Sequence, residues 1–139
     1  MAPAAGKTLL VRSGAEHYAL DMTAVQEVVY HPDLTMLPQP KGFITGMCWW
    51  RNKQVPVVDL GLFLGKPAPV TSGDIVITNV FGVEAGFLVD EIGTIVDVPV
   101  DSLITVDTSL ARQEGKVLQA FERQGELVFI IETKALAIR

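Results

Sequence analysis

The chain is poor in the side chains that build metal sites and disulfides. It has one cysteine, Cys48, and two histidines, His17 and His31, in 139 residues. A single cysteine excludes an internal disulfide framework and fits a reducing compartment. No ligand pair stands at zinc spacing, so neither a metal nor a cofactor is expected. Long apolar runs are missing too. "LVFII", 127–131, is among the longest, and a bilayer-spanning helix needs about 20 apolar residues. The opening "MAPAAGK" lacks an apolar stretch of signal-peptide length. These absences together place the chain in the cytoplasm as an expectation. Basic clusters are also absent: the eleven Lys and Arg are scattered and the formal net charge is −5. Nucleic acid and direct insertion into a membrane are therefore not expected.

Catalytic motifs are equally scarce. The serines stand in turn-like contexts with no G-x-S-x-G elbow, and "GLFLGK" lacks the spacing of a phosphate loop. Cys48 lies in an apolar strand, where a small buried hydrophobe is the simpler reading than a reactive thiolate. One acidic motif competes. Asp107-Thr108-Ser109 resembles, in part, the Asp-Thr-Gly turn of small dimeric aspartic proteases, with Ser109 where glycine lets two backbones approach. That alternative requires an obligate dimer with Asp107 as the catalytic acid. Weighed against it, the chain reads as a binding module and not an enzyme.

What is present is β structure. The composition is 49% hydrophobic and 19% charged, that of a folded chain with room for one core. Short β-branched runs bounded by turn residues predict strands at 8–12, 17–21, 27–30, 55–60, 74–80, 85–90, 94–98 and 127–131. Helix signals are brief: "DMTAVQ" behind a capping Asp21, "DLGLFLG" ending at Gly65, and "ETKALAI" near the end. An internal echo pairs "YALD…VQEVV" with "FLVD…IGTIV", and "WRNKQVPVVDLGLFL" with "FERQGELVFIIETKAL". Two copies of one β unit would give two similar small barrels sharing a core, linked near residues 65–73.

The stretch "TGMCWWRNKQVPVVDL", 45–60, carries both tryptophans of the chain beside an arginine. Trp49 and Trp50 must point to opposite faces of a strand, one toward a core and one outward. A hairpin tip at Asn52-Lys53 suits the run, since asparagine enters left-handed turns readily.

This stretch resembles the signature of the CheW-like domain family, with Gly46, Arg51, Pro56, Val57, Asp59 and Leu60 in the matching positions. "HYALDMTAVQEVV", "LTMLPQPKGFITGM", "EAGFLVDEIGTIVDVP" and "GELVFIIETKAL" resemble further family segments in the family's order. Trp49 departs from the pattern where asparagine is usual, Asn52 where glycine is usual, and Ala120 where glycine is frequent. The resemblance implies a mostly β fold of two five-stranded SH3-like barrels around a shared hydrophobic core, with few short helices. It implies a single domain over 8–138, two intertwined subdomains, and a flexible N-terminus at 1–7. It implies a non-catalytic adaptor that couples chemoreceptor cytoplasmic helical tips to the regulatory domain of a CheA-type histidine kinase, with recruitment to membrane receptor arrays. A divergent adaptor serving pilus, gliding or surface sensing is the alternative.

The residues carried over as partner-binding are Val25, Glu27, Gly46, Arg51, Gly86 and Val89, to which the two tryptophans add Trp49 and Trp50. For the glycines, packing of the fold is an equal reading. An outward tryptophan beside an arginine has the composition of an interface hot spot. The competing reading covers its ring with the chain's own "HPDLTMLPQP" loop.

Overall fold

The computed structural model describes residues 6–66, 72–106 and 115–138. Asp107, most of the 65–73 link and residues 1–5 lie outside the described residues. Among the described residues, twelve strands form two six-stranded sheets, where five strands per barrel were expected. The first sheet contains β1 (Lys7–Ser13), β2 (Glu16–Asp21), β9 (Glu91–Asp97), β10 (Ile104–Thr105), β11 (Val117–Arg123) and β12 (Glu126–Ile131), in the order β10-β11-β12-β2-β1-β9. The second contains β3 (Val25–Val29), β4 (Leu34–Lys41), β5 (Ile44–Trp50), β6 (Lys53–Asp59), β7 (Asp74–Val80) and β8 (Val83–Val89), in the order β3-β7-β8-β6-β5-β4. This is compatible with two small barrels.

The chain does not give one barrel to each half. It starts in the first sheet, spends β3 to β8 in the second, and returns at β9. It crosses at a 3-10 turn, Met22–Ala24, and again at Asp90, between β8 and β9. The 65–73 link instead joins two elements of the second sheet. Two parallel pairings follow from this threading, β12 with β2 and β6 with β8. The repeated motifs therefore mark the two crossings between sheets and two like-placed hairpins, β5–β6 and β11–β12, rather than whole barrels.

Strand alternation explains the core. Leu9 and Val11 on β1, Tyr18 and Leu20 on β2, and Phe87 and Val89 on β8 meet in one cluster shared by both sheets. The intervening residues face inward within their own sheet. Leu10, Ala19 and Ile130 form a private cluster in the first, while Ile75, Ile77 and Leu88 join Trp50 in the second. Strands buried on both faces read as continuous apolar runs, as the buried "IVI" at the centre of β7 does.

The helical pieces cap the structure in single turns. Asp21 accepts a hydrogen bond from the Thr23 N–H at 2.9 Å, and Asp59 caps α1 (Leu60–Phe63) through the Leu62 N–H at 3.2 Å. β4 is a strand although its sequence, with Pro38 and Pro40, reads as a loop. It survives because it is an edge strand with a register shift between Met36 and Lys41, so ladder donors are not required throughout.

Candidate functional site

The two tryptophans end β5 on opposite faces. Trp50 is 7% exposed and packs with Cys48, Val55 and Val57; Trp49 is 52% exposed. The Trp49 backbone N–H donates to the Asp33 carbonyl at 3.1 Å, so the preceding loop docks along the strand and leaves the ring open. Burial in the first place, and the Asp33 charge in the second, raise the Cys48 thiol above its ordinary pKa.

The hairpin tip is Arg51-Asn52, one residue earlier than the sequence suggested, because Trp50 pairs with Lys53. Their φ values of 50° and 61° are those of a type I′ turn, whose twist matches that of the flanking strands. Asparagine is at home there, whereas a left-handed arginine costs on the order of 1 kcal/mol. Two contacts hold the Arg51 guanidinium. Its carbon lies 4.8 Å from the centre of the Trp50 ring, and its Nη2 is 2.8 Å from Glu27 Oε1. Lys53 Nζ is 5.4 Å from the same ring and pairs with Glu84 at 2.7 Å. Trp50 is thus a core residue that seats Arg51, and its ring is not an outward contact.

The Glu27–Arg51 pair also reports the curl of the sheet. Glu27 is on β3, at one end of the strand order, and Arg51 follows β5, near the other. Direct contact between them requires the sheet to roll toward closure.

Val25 and Glu27 lie on β3, an edge strand of the second sheet, and β9 is an edge strand of the first. Between these edges runs an open groove of about 470 Å³, lined by Val25, Glu27 and Tyr30 on one side and Ile92 and Ile95 on the other. Tyr30 and Ile95 are exposed. Sequence reading missed the β9 wall, because "EIGTIVD" alternates like any half-buried strand. It gains meaning only once the second crossing sets it opposite β3.

Gly46, Gly86 and Val89 are buried and sit apart from this surface. A Cβ on Gly46 would come within 2.8 Å of the Thr35 carbonyl oxygen, and one on Gly86 within 2.9 Å of Ile75 Cγ2. Val89 belongs to the shared core. All three are packed positions: Gly46 leaves room for the β4 backbone, Gly86 for the Ile75 side chain on β7, and Val89 lies in the core that both sheets share.

Among the described residues, no group of three or more His, Cys, Asp or Glu is placed to hold a metal ion. No described helix is long and apolar enough to cross a membrane.

An open groove with apolar side chains along two strand edges, and an ion-paired arginine beside one of them, has the composition of a protein-docking face. The class so defined is an interaction module. Comparison with known proteins makes it specific: the CheW-like domain profile matches residues 7–139, and the chain belongs to that family of adaptor and scaffold proteins. It is similar to a probable chemotaxis protein CheW of Rhizobium etli, 25% identical over 130 residues that cover 90% of this chain and 83% of the relative. It is also similar to protein PilI of Pseudomonas aeruginosa, 31% identical over 93 residues, 66% of this chain and 52% of PilI. Among solved structures it resembles the scaffolding protein TtCheW of Thermoanaerobacter tengcongensis, with a TM-score of 0.76 and 26% identity, covering 92% of this chain and 89% of that one.

Proposed function

We propose that this chain is a cytoplasmic, non-catalytic adaptor that couples the helical tips of chemoreceptors to the regulatory domain of a CheA-type histidine kinase. The observation that carries the proposal is the groove between the β3 and β9 edges. Its β3 wall is built from Val25 and Glu27, and Arg51 stands on its rim through the Glu27 ion pair. A groove with apolar walls and a polar rim suits an amphipathic helix, which docks its apolar face and meets the rim with charge. Direct contact in the groove then falls to Val25 and Glu27 with Arg51 beside them, and the exposed Trp49 ring on β5 offers a separate aromatic contact. Trp50, Gly46, Gly86 and Val89 hold those residues in place.

A second reading, service to a pilus or surface-motility pathway, is favoured by the similarity to PilI and by Trp49, an aromatic anchor where the family pattern has asparagine. Titration against the regulatory domain of the histidine kinase encoded nearest to this chain tests the adaptor reading. We expect saturable one-to-one binding, weakened about 30-fold or more by Trp49→Ala or Arg51→Ala if either is a hot spot worth about 2 kcal/mol. Absence of binding to the kinase and to receptor tips at high micromolar concentration would overturn it. Deletion that abolishes twitching and spares swimming would select the second reading.

A further inference from the structure

A second groove lies away from the β3–β9 edges, where the β4–β5 turn meets the end of the described chain. Two clefts, of about 370 and 510 Å³, share Phe43 and Ile138 in their linings. Phe43, at 47% exposed, stands at their junction and packs edge-on against Phe63 at 5.0 Å.

The charge around these clefts is unlike that of the remaining surface. Of the nine described lysines and arginines, Lys7, Arg12, Arg51, Lys53 and Lys66 each pair with a carboxylate. Of the four that do not, only Arg123 lies elsewhere; Lys41, Lys116 and Lys134 line the two clefts. Lys116 Nζ is already engaged, 4.7 and 4.5 Å from the Phe43 and Phe63 ring centres and 3.0 Å from the Phe63 carbonyl oxygen it donates to. Lys41 and Lys134 are exposed. Among the described lining residues the one carboxylate, Glu84, is neutralised by Lys53 at 2.7 Å. In a chain of net charge −5, an apolar groove edged by uncompensated cations is complementary to a ligand that is both apolar and acidic.

From this complementarity we infer that the Phe43–Ile138 groove docks an acidic amphipathic peptide segment of a partner protein. Apolar side chains of the segment lie on Phe43 and Ile138, and its carboxylates meet Lys41 and Lys134. The inference does not depend on the kinase–receptor reading, since no residue of the β3–β9 groove takes part.

Selection of a random 16-residue peptide library on the immobilised full chain tests it. The expected peptides are rich in Asp and Glu interleaved with apolar residues. They bind at least tenfold more weakly to the Lys41→Glu/Lys134→Glu variant and lose affinity with added salt. They shift the backbone amide resonances of Gly42, Phe43 and Ala135. Both lysines are exposed, so the variant retains the fold, and an unchanged thermal midpoint verifies this. Peptides without acidic enrichment, equal binding to the double variant, or resonance shifts confined to the β3–β9 groove would each overturn the inference. So would binding of phosphatidylglycerol vesicles with no peptide selected, which would mark the groove as a lipid-facing surface.

Discussion

At the scale of single residues, Tyr18 sets an expectation for alkaline solution. It is fully buried, and its hydroxyl has no hydrogen-bond partner among the described residues. Burial first, and the Glu16 charge second, push its phenol well above the ordinary value. In the unfolded chain the phenol ionises near pH 10, while in the folded chain it keeps its proton. Above that pH the unfolded state binds fewer protons, so stability is complete below about pH 10 and falls as pH rises, by at most about 1.4 kcal/mol per pH unit for one group. Urea titrations between about pH 9 and pH 11 should show this loss. Tyr18→Phe should remove its share and, by deleting an unpaired buried hydroxyl, leave neutral-pH stability unchanged or raised by about 1 kcal/mol. The Cys48 thiol, also raised by burial, would supply a smaller loss that starts lower and persists in Tyr18→Phe. An identical alkaline slope in wild type and variant would show that Tyr18 is not the source.

At the scale of elements, the buried glycines separate packing from contact. In Gly46→Ala the new methyl meets a backbone carbonyl at 2.8 Å; in Gly86→Ala it meets the Ile75 side chain at 2.9 Å. Each substitution should cost about 1–3 kcal/mol through overpacking. Their rescue should differ. Gly86→Ala should be better tolerated in an Ile75→Ala background, since the obstructing branch is gone; no side-chain truncation relieves Gly46→Ala, because β4 itself is in the way. Thermal midpoints of the single and double variants measure this coupling. Kinase affinity should fall only in step with the folded fraction. An affinity loss in fully folded Gly86→Ala would restore a direct contact role.

The same scale shows what could be read from the chain before its structure. Alternation and glycine turns located most central strands, and the capping role of Asp21 follows from its side chain. The opposed tryptophans followed from strand geometry alone, but not which one faces out; that depends on whether the Cys48 face or the Trp49 face turns toward Ile75 and Ile77. β4 was hidden because prolines exclude a central strand but not an edge. The position of the Arg51-Asn52 turn was hidden because the preference for asparagine at left-handed positions outweighed the register that places Trp50 opposite Lys53. The Glu27–Arg51 pair and the β9 wall of the groove join residues far apart in sequence, and only the threading between sheets brings them together.

At the scale of the whole molecule, that threading implies that neither sheet is an independent unit. The chain enters the first sheet, leaves it and returns, and the largest apolar cluster draws residues from both sheets. A domain of this size with a common core should unfold in one cooperative transition. Ile130 gives a direct test. It is fully buried in the private cluster of the first sheet, while Trp50 is in the private cluster of the second. In a Trp49→Phe background, Trp50 is the sole fluorophore of its kind, and its emission reports on the second sheet. Ile130→Ala should cost about 2–5 kcal/mol from lost burial and the cavity left behind. If the shared core couples the sheets, the denaturation midpoint seen by Trp50 fluorescence should move down by the same amount as that seen by far-ultraviolet circular dichroism. A fluorescence midpoint that stays fixed while the dichroism transition splits in two would mean that the second sheet stands alone. The Glu27–Arg51 side of the docking face, which lies wholly within that sheet, could then persist after the β9 wall of the groove is lost.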